Sequence, residues 1–267
     1  MNSQGKAINR QHMLTEHRRQ VILQRLQTRK AVKTSDLSET FSVSSMTIRN
    51  DLNALAEQGQ LVRVHGGAIA LQWLTTEPSY EDKANVNQSE KEAIGREAAS
   101  LVEEGMAIFV GNGTTTIEII RHLPQDRRFR VFTNALNHAL EVRQLPQAEV
   151  FVVGGYLREV SLAMVGTLAH QALKGIYFDI SFLGVNGISI EHGLTIPSLE
   201  EAETAAEIIE CSQRTIVVTD HTKFGIVAHG KIADITDIDA IITDSGLDAR
   251  LMDRLSKLDV EINTVTV

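Results

Sequence analysis

Cysteine is almost missing: Cys211 is the single one among 267 residues, so neither an intrachain disulfide nor a cysteine zinc cluster is open to the chain. No run approaches the ~20 apolar residues of a membrane helix, so no membrane partner is expected. Met1-Asn2-Ser3-Gln4-Gly5-Lys6 lacks the apolar core of a secretory signal, and the expected compartment is the cytoplasm. The nine histidines are scattered with no His-x-x-x-His pair, so no metal is expected. What the chain does have is 43% apolar residues, enough for a sizeable core, and 22% charged ones, an ordinary value. Its length suits two unequal domains.

The formal charge of −8 alone argues against a nucleic-acid partner, but it hides an asymmetry. Residues 1–70 carry ten basic and five acidic side chains, a net +5, which leaves −13 for the remainder. A basic head on an acidic body lets the head approach phosphates while the body stays off them.

In the head, Val21, Ile22 and Leu26 recur at helical spacing over Glu16–Thr28, and a second helix is expected over Thr34–Phe41, burying Leu37 and Phe41. Ser42-Val43-Ser44 breaks the pattern with Val43 as an apolar plug, and Ser44 is placed to cap a third helix. There Ile48, Leu52 and Leu55 form a buried stripe, with Gly59 as the expected left-handed C-cap. The opposite face carries Ser45, Thr47, Arg49, Asn50 and Asn53. Arginine pairs bidentately with guanine and asparagine with adenine, while hydroxyls near a helix start suit phosphate oxygens. Leu61–Gly67 alternates and ends in a glycine pair, a hairpin wing with Arg63 and His65 facing outward. His65 reads equally well as a neutral surface histidine.

Residues 69–88 lack a clean period, contain Pro78 and are expected to connect the domains. The boundaries expected are 1–70 for the head, 71–88 for the linker and 89–267 for the body, with Trp73 packing at the junction. Ser89 and Glu92 have capping-box spacing ahead of a helix that buries Ile94, Ala98 and Leu101 and stops at Gly105. Apolar runs then follow at Met106–Val110, Arg130–Phe132, Val150–Val153, Ile180–Val185, Thr215–Thr219 and Ala240–Thr243. Helical stretches are expected at about 115–123, 136–145, 199–212 and 248–257. Strand and helix in alternation mean a mostly parallel sheet covered on both faces, with ligands at the carboxyl ends of its strands.

Polar motifs stand at those ends. Gly111-Asn112-Gly113-Thr114-Thr115-Thr116 offers close backbone approach and hydroxyl donors to an anion. It is not a Walker A loop, and by itself it reads equally well as a structural glycine turn with a threonine cap. Thr133-Asn134 ends the next run, Gly154-Gly155 with Arg158 the third, and Asp220 with Lys223 and Gly225 the run at 215–219. Arg158 and Lys223 are the cations expected against a phosphate or sugar hydroxyls, with solvated surface charge as the alternative for each. Candidate bases for an enzyme are Asp179, Glu200, Glu201, Glu203 and Asp220. Ser198 and Glu201 have capping-box spacing, which gives that acid a structural task, and no catalytic set emerges. Cys211 is expected to be a small buried hydrophobe.

Arg18-Arg19-Gln20, Val43–Leu52, His65-Gly66-Gly67-Ala68 and Glu77–Glu81 together resemble the DeoR-type family of bacterial sugar-metabolism repressors, over nearly the whole chain. The resemblance implies a winged helix-turn-helix followed by an α/β body similar to the ribose-5-phosphate isomerase and CoA-transferase fold, with its first loop taking a phosphate. It implies a repressor of a sugar operon, double-stranded operator DNA and a phosphorylated sugar or sugar alcohol as partners, a homo-oligomer (dimer or tetramer), and no cofactor. The alternative is a sugar-phosphate isomerase fused to a DNA-binding head. Two departures stand out: Asn50 where the family commonly has a second arginine, and Gly111-Asn112 where it usually has Asp-Ser. Isomerases of the fold carry acids in the segment similar to Gly184-Val185-Asn186-Gly187, and this chain has none there.

Overall fold

The computed structural model describes residues 15–26, 31–58, 60–64, 66–70 and 77–267, in two compact units, Met1–Glu77 and Pro78–Val267. In the first unit α1 (residues 15–26) is followed by β1 (Ala31–Lys33), α2 (Thr34–Phe41), α3 (Ser45–Glu57) and the hairpin β2 (Leu61–Val64) and β3 (Gly67–Ala70). The core is the expected one: Ile22, Leu26, Leu37, Ile48, Leu52 and Leu55 are buried together, with Phe41 and Val43 packed against them. The tight turn is made by Ser42, whose φ of 52° closes α2 in the left-handed region. β1 completes a three-stranded sheet in the order β1-β3-β2. A three-residue strand carries too little alternation to announce itself. Gly67 is required where β3 crosses β1, because a Cβ there would lie 2.0 Å from the Val32 carbonyl oxygen. Gly59, His65 and Trp73 lie outside the described residues, and α3 closes on Gln58 as its C-cap.

The second unit opens with α4 (Tyr80–Ala84), inside the stretch expected to connect the domains, and α5 (Gln88–Ser100). The capping box belongs to α4, between Ser79 and Asp82. The spacing at Ser89 and Glu92 is not used that way. The N-cap of α5 is Asn87, in the left-handed region, Ser89 bonds Glu90, and Gln88 bonds Glu92. Nor does Gly105 stop α5, which ends four residues earlier with Leu101 as C-cap. Gly105 instead turns the chain into the first strand, at φ 84°.

All six expected runs are strands of one seven-stranded sheet. They are β4 (Ala107–Val110), β5 (Phe129–Thr133), β6 (Ala148–Val152), β9 (Ile180–Leu183), β12 (Thr215–Val218) and β14 (Ala240–Asp244). The seventh, β15 (Glu261–Val265), is an edge strand of mixed polarity and so lacked an apolar run. Every pairing is parallel and the order is β15-β14-β12-β9-β4-β5-β6. Apolar clusters cover both faces, one around Ile94, Ile108, Val110, Ile119 and Phe182. On the other face, one centres on Phe109, Phe178 and Ile208 and another on Val217, Ile241 and Leu194. Burial on both sides is why β4, β9, β12 and β14 read as continuous apolar runs, whereas the edge strand β6 is apolar although Val150, Phe151 and Val152 are exposed. The expected helical stretches are α6 (Thr116–His122), α7 (Leu136–Val142), α9 (Leu199–Glu210) and α10 (Ala249–Leu255), joined by an unexpected α8 (Thr167–Leu173). Two short antiparallel pieces were also unforeseen. They are the ribbon of β7 (Tyr156–Arg158) and β8 (Ala163–Val165), and a three-stranded sheet of β10 (Gly187–Ser189), β11 (Gly193–Ile196) and β13 (Gly230–Ala233).

Candidate functional site

Two surfaces carry the predicted residues. On the first unit, Ser44 caps α3 by accepting from the Thr47 amide at 3.2 Å, and Ile48, Leu52 and Leu55 anchor the buried side. Ser45, Arg49, Asn50 and Asn53 are exposed on the other side and Thr47 is half-exposed. Met46, 63% exposed in the first turn of the same helix, was not foreseen, because a lone apolar residue in sequence reads as core. Arg63 is half-buried and donates to Asn53 Oδ1 at 2.9 Å and to the Gly67 carbonyl, tying the wing to α3. Burial, and next the charge of Arg49, lower the Arg63 pKa. Behind α3, Asp51 is buried and held by Arg18 at 2.5 Å and Arg19 at 3.0 Å. These three residues belong to the scaffold that presents the exposed face.

On the second unit, parallel pairing throughout the sheet brings all seven carboxyl ends to one edge. The chain moves outward from β4 to β5 and β6, returns to β9 on the other flank of β4, and continues to β12, β14 and β15. The order therefore reverses between β4 and β9, the place where open α/β sheets leave a ligand crevice. Gly111-Asn112-Gly113 lies at this point, and a Cβ on Gly184, just past β9, would sit 3.4 Å from the Asn112 carbonyl oxygen.

On the β5 side of the crevice, Asn112 donates from its amide to Asn134 Oδ1 at 3.1 Å and from Nδ2 to Glu201 Oε2 at 3.2 Å. Arg158 and Ser161 both donate to Glu201 Oε1. Arg158 is thus engaged with a buried carboxylate. Glu201 was the residue the sequence left in a cap. Its amide does bond Ser198 Oγ at 3.3 Å, but its carboxylate, 3% exposed as a residue, faces the edge and gathers three donors. A capping-box spacing looks the same whichever way the side chain turns. Several predicted polar groups are spent locally. Thr116 donates to the Gly113 carbonyl at 3.1 Å, and Thr133 Oγ1 accepts from the Ala135 amide at 3.1 Å. Thr115 is buried and Thr114 half-exposed, Gly154 is exposed, and Gly155 lies against Val165 of β8. Beneath the loop, His138 is fully buried with Nε2 3.1 Å from the Gly113 carbonyl, and burial pushes its imidazole down to about 4.

On the β12 side, Asp220 accepts from Asn87 Nδ2 at 3.1 Å, from the Thr222 amide at 3.0 Å and from the Thr222 hydroxyl. Burial pushes its carboxyl up, but Lys223, Thr222 and Lys91 outweigh it and hold the pKa below the usual value. Lys91 is 4% exposed, which the sequence does not announce, because α5 is amphipathic and a lysine in its first turn reads as solvated. Cys211 caps the end of α9, half-buried against Phe178 and its neighbours, with burial raising its thiol pKa. Among the described residues no helix is long and apolar enough to cross a membrane.

Comparison with known proteins agrees with this division. Residues 18–72 match the model of the DeoR-like helix-turn-helix domain and residues 86–245 that of the DeoR C terminal sensor domain. The chain is 38% identical over 250 residues to a putative aga operon transcriptional repressor of Escherichia coli O157:H7, covering 93% of each chain. It is 32% identical to the glycerol-3-phosphate regulon repressor of Escherichia coli K12, covering 86% of this chain and 91% of that one. Among solved structures, ribose 5-phosphate isomerase A of Methanocaldococcus jannaschii aligns with a TM-score of 0.38 at 17% identity, over 52% of this chain and 55% of that one.

Proposed function

The chain belongs to the DeoR family of helix-turn-helix transcriptional regulators, and from that premise we propose that it represses a sugar or sugar-derivative catabolic operon and releases its operator when a phosphorylated sugar or sugar alcohol binds the second unit. The observation that carries the DNA half is the α3 face, where exposed Ser45, Arg49 and Asn50 stand on a capped helix beside a second guanidinium. The exposed Arg49 offers its charge to an anion, and the phosphate backbone supplies one. Arg49 and Asn50 then read base edges in the major groove, with Met46 available to a thymine methyl. Arg63 steadies the wing, and through Asn53 it fixes the wing's angle to the reading helix. A single head spans one half-site, so two or more copies are needed for an operator with two-fold symmetry. This is the work of a cytoplasmic homo-oligomer.

The effector half rests on the crevice between β4 and β9, flanked by amide and hydroxyl donors on one side and by lysines on the other. The relatives named for the aga operon and the glycerol-3-phosphate regulon support a small phosphorylated carbon source. The unit senses rather than converts its ligand. A general base for proton abstraction needs an unspent carboxylate poised near neutral pH. Glu201 already receives three donors, and Asp220 is held low by Lys223, Thr222 and Lys91.

The test is a fluorescence titration of the full chain on a duplex selected from a random library, repeated with hexose, hexosamine and polyol phosphates. One compound or a close set should weaken binding by tenfold or more. Absence of selected duplexes, or turnover of a sugar phosphate by the purified chain, would overturn the proposal.

A further inference from the structure

Lys91 is the fourth residue of α5, closing its first turn, and its Nζ makes one hydrogen bond, to the Lys83 carbonyl. An ammonium group has three donors, so two remain unspent on a side chain almost wholly removed from water. Such a charge persists in a fold only where something compensates it. The groups facing it are Asp220 from the end of β12, Lys223 from the turn after it, Glu118 from α6 and Lys83 from α4. None of the acids lies within salt-bridge distance of Lys91 among the described residues, and Asp220 is already bonded to Asn87 and Thr222. Two lysines therefore converge on one well-occupied aspartate. The other cation expected at this edge, Arg158, is engaged with Glu201 on the far side of the crevice.

We propose that Lys91 and Lys223 form the anion seat of the second unit, with the dianionic phosphate of the effector as the group that completes Lys91's charge pairing. This rests on the reading of that unit as a phosphosugar sensor and gives the ligand a direction. The phosphate lies at the β12 end, and the hydroxylated chain crosses the β4–β9 crevice toward Asn112, Asn134 and Glu201. Asp220 and Asn134 end strands three steps apart, about 14 Å at ordinary strand spacing, a span suited to a sugar phosphate. Binding is coupled to a proton. Burial lowers the Lys91 ammonium to about 8, so the empty seat is partly discharged just above neutral pH and an arriving dianion draws the proton back.

The probe is sulfate, whose charge is fixed over pH 7 to 9, titrated calorimetrically into the full chain. Affinity for the wild type should fall by about tenfold for each unit of pH well above Lys91's value of about 8, and binding should take up a proton in buffers of differing ionisation enthalpy. Lys91→Met should bind at least tenfold more weakly at pH 7 and lose the pH dependence. Lys91→Arg, permanently charged, should bind with no pH dependence over this range. Melting temperatures of both variants report folding separately, because a lysine that merely staples α4 to α5 would lower them without altering the proton count. A Lys91→Met chain that binds sulfate as the wild type does, with the same pH profile, overturns the seat, and so does a wild type that takes no sulfate. Operator release by the sugar-phosphate panel is read independently, so the sensor reading stands or falls on its own.

Discussion

Asp51 shows how a residue on a reading helix can serve that helix without facing its partner. Its carboxylate is buried and both oxygens are taken, by Arg18 and Arg19 from α1, which locks the two helices together. Removing one partner from a buried ion pair leaves charge unmatched, with losses of about 3–5 kcal/mol, and the partial exposure of the arginines puts this site near the lower figure. Asp51→Asn should therefore lower the unfolding free energy of the full chain by about 3 kcal/mol in urea titrations, and a loss under about 1 kcal/mol would mean that solvent already carries the arginines. His138 makes a different kind of contribution. Its folded pKa of about 4 lies below the ordinary 6.5, so as pH falls through 6.5 the unfolded chain takes a proton that the folded chain refuses. The group leaves stability unchanged above pH 6.5 and reduces it between 6.5 and 4 by about 3 kcal/mol. His138→Gln should flatten that part of the stability profile, and an unchanged slope would assign the acid sensitivity elsewhere.

Elements differ in how far their sequence announces them. Six strands of the parallel sheet were legible as apolar runs: in β4, β9, β12 and β14 burial on both faces writes such a run, while β6, an edge strand, is apolar but exposed. The helices of the head were legible through a 3.6 period and the cap at Ser44. Short antiparallel pieces such as β7 and β8 were not, because three residues bear no period and their pairing is decided by distant partners. Site residues divide in the same way. Loop motifs at strand ends could be placed from topology, whereas Glu201 and Lys91 could not, since which side of a helix faces the edge depends on packing. Asn53 and Arg63 were expected at the DNA and are bonded to each other. That contact makes α3 and the wing a coupled pair, and under the proposed function it leaves Arg49 as the reading cation. Arg49→Ala should cost about 1–3 kcal/mol of specific binding and relax base preference at one position of the selected duplex. Asn53→Ala should weaken binding to all duplexes alike by loosening the wing. Unchanged base preference in the Arg49 variant would take that side chain off the reading face.

At the scale of the whole molecule, the head at +5 and the remainder at −13 divide the electrostatic work. Under the proposed function the acidic remainder stays off DNA and phosphate contacts come from the heads, each contributing about −0.9 to the slope of log affinity against log salt on duplex DNA. That slope counts engaged heads. With two heads docked it is twice the value for one, whereas the affinity alone cannot separate a lost head from a weakened one. If the effector releases the operator by moving two heads out of register with half-sites a helical turn apart, one head stays docked and the slope should fall toward half. If the effector instead loosens every contact evenly, affinity drops with the slope nearly unchanged. Titrations of the full chain from 50 to 200 mM salt, with and without the active sugar phosphate, distinguish the two. Release by loss of register requires the halved slope, and either route requires an effector preference of several kcal/mol for the released arrangement, enough to shift occupancy from mostly bound to mostly free.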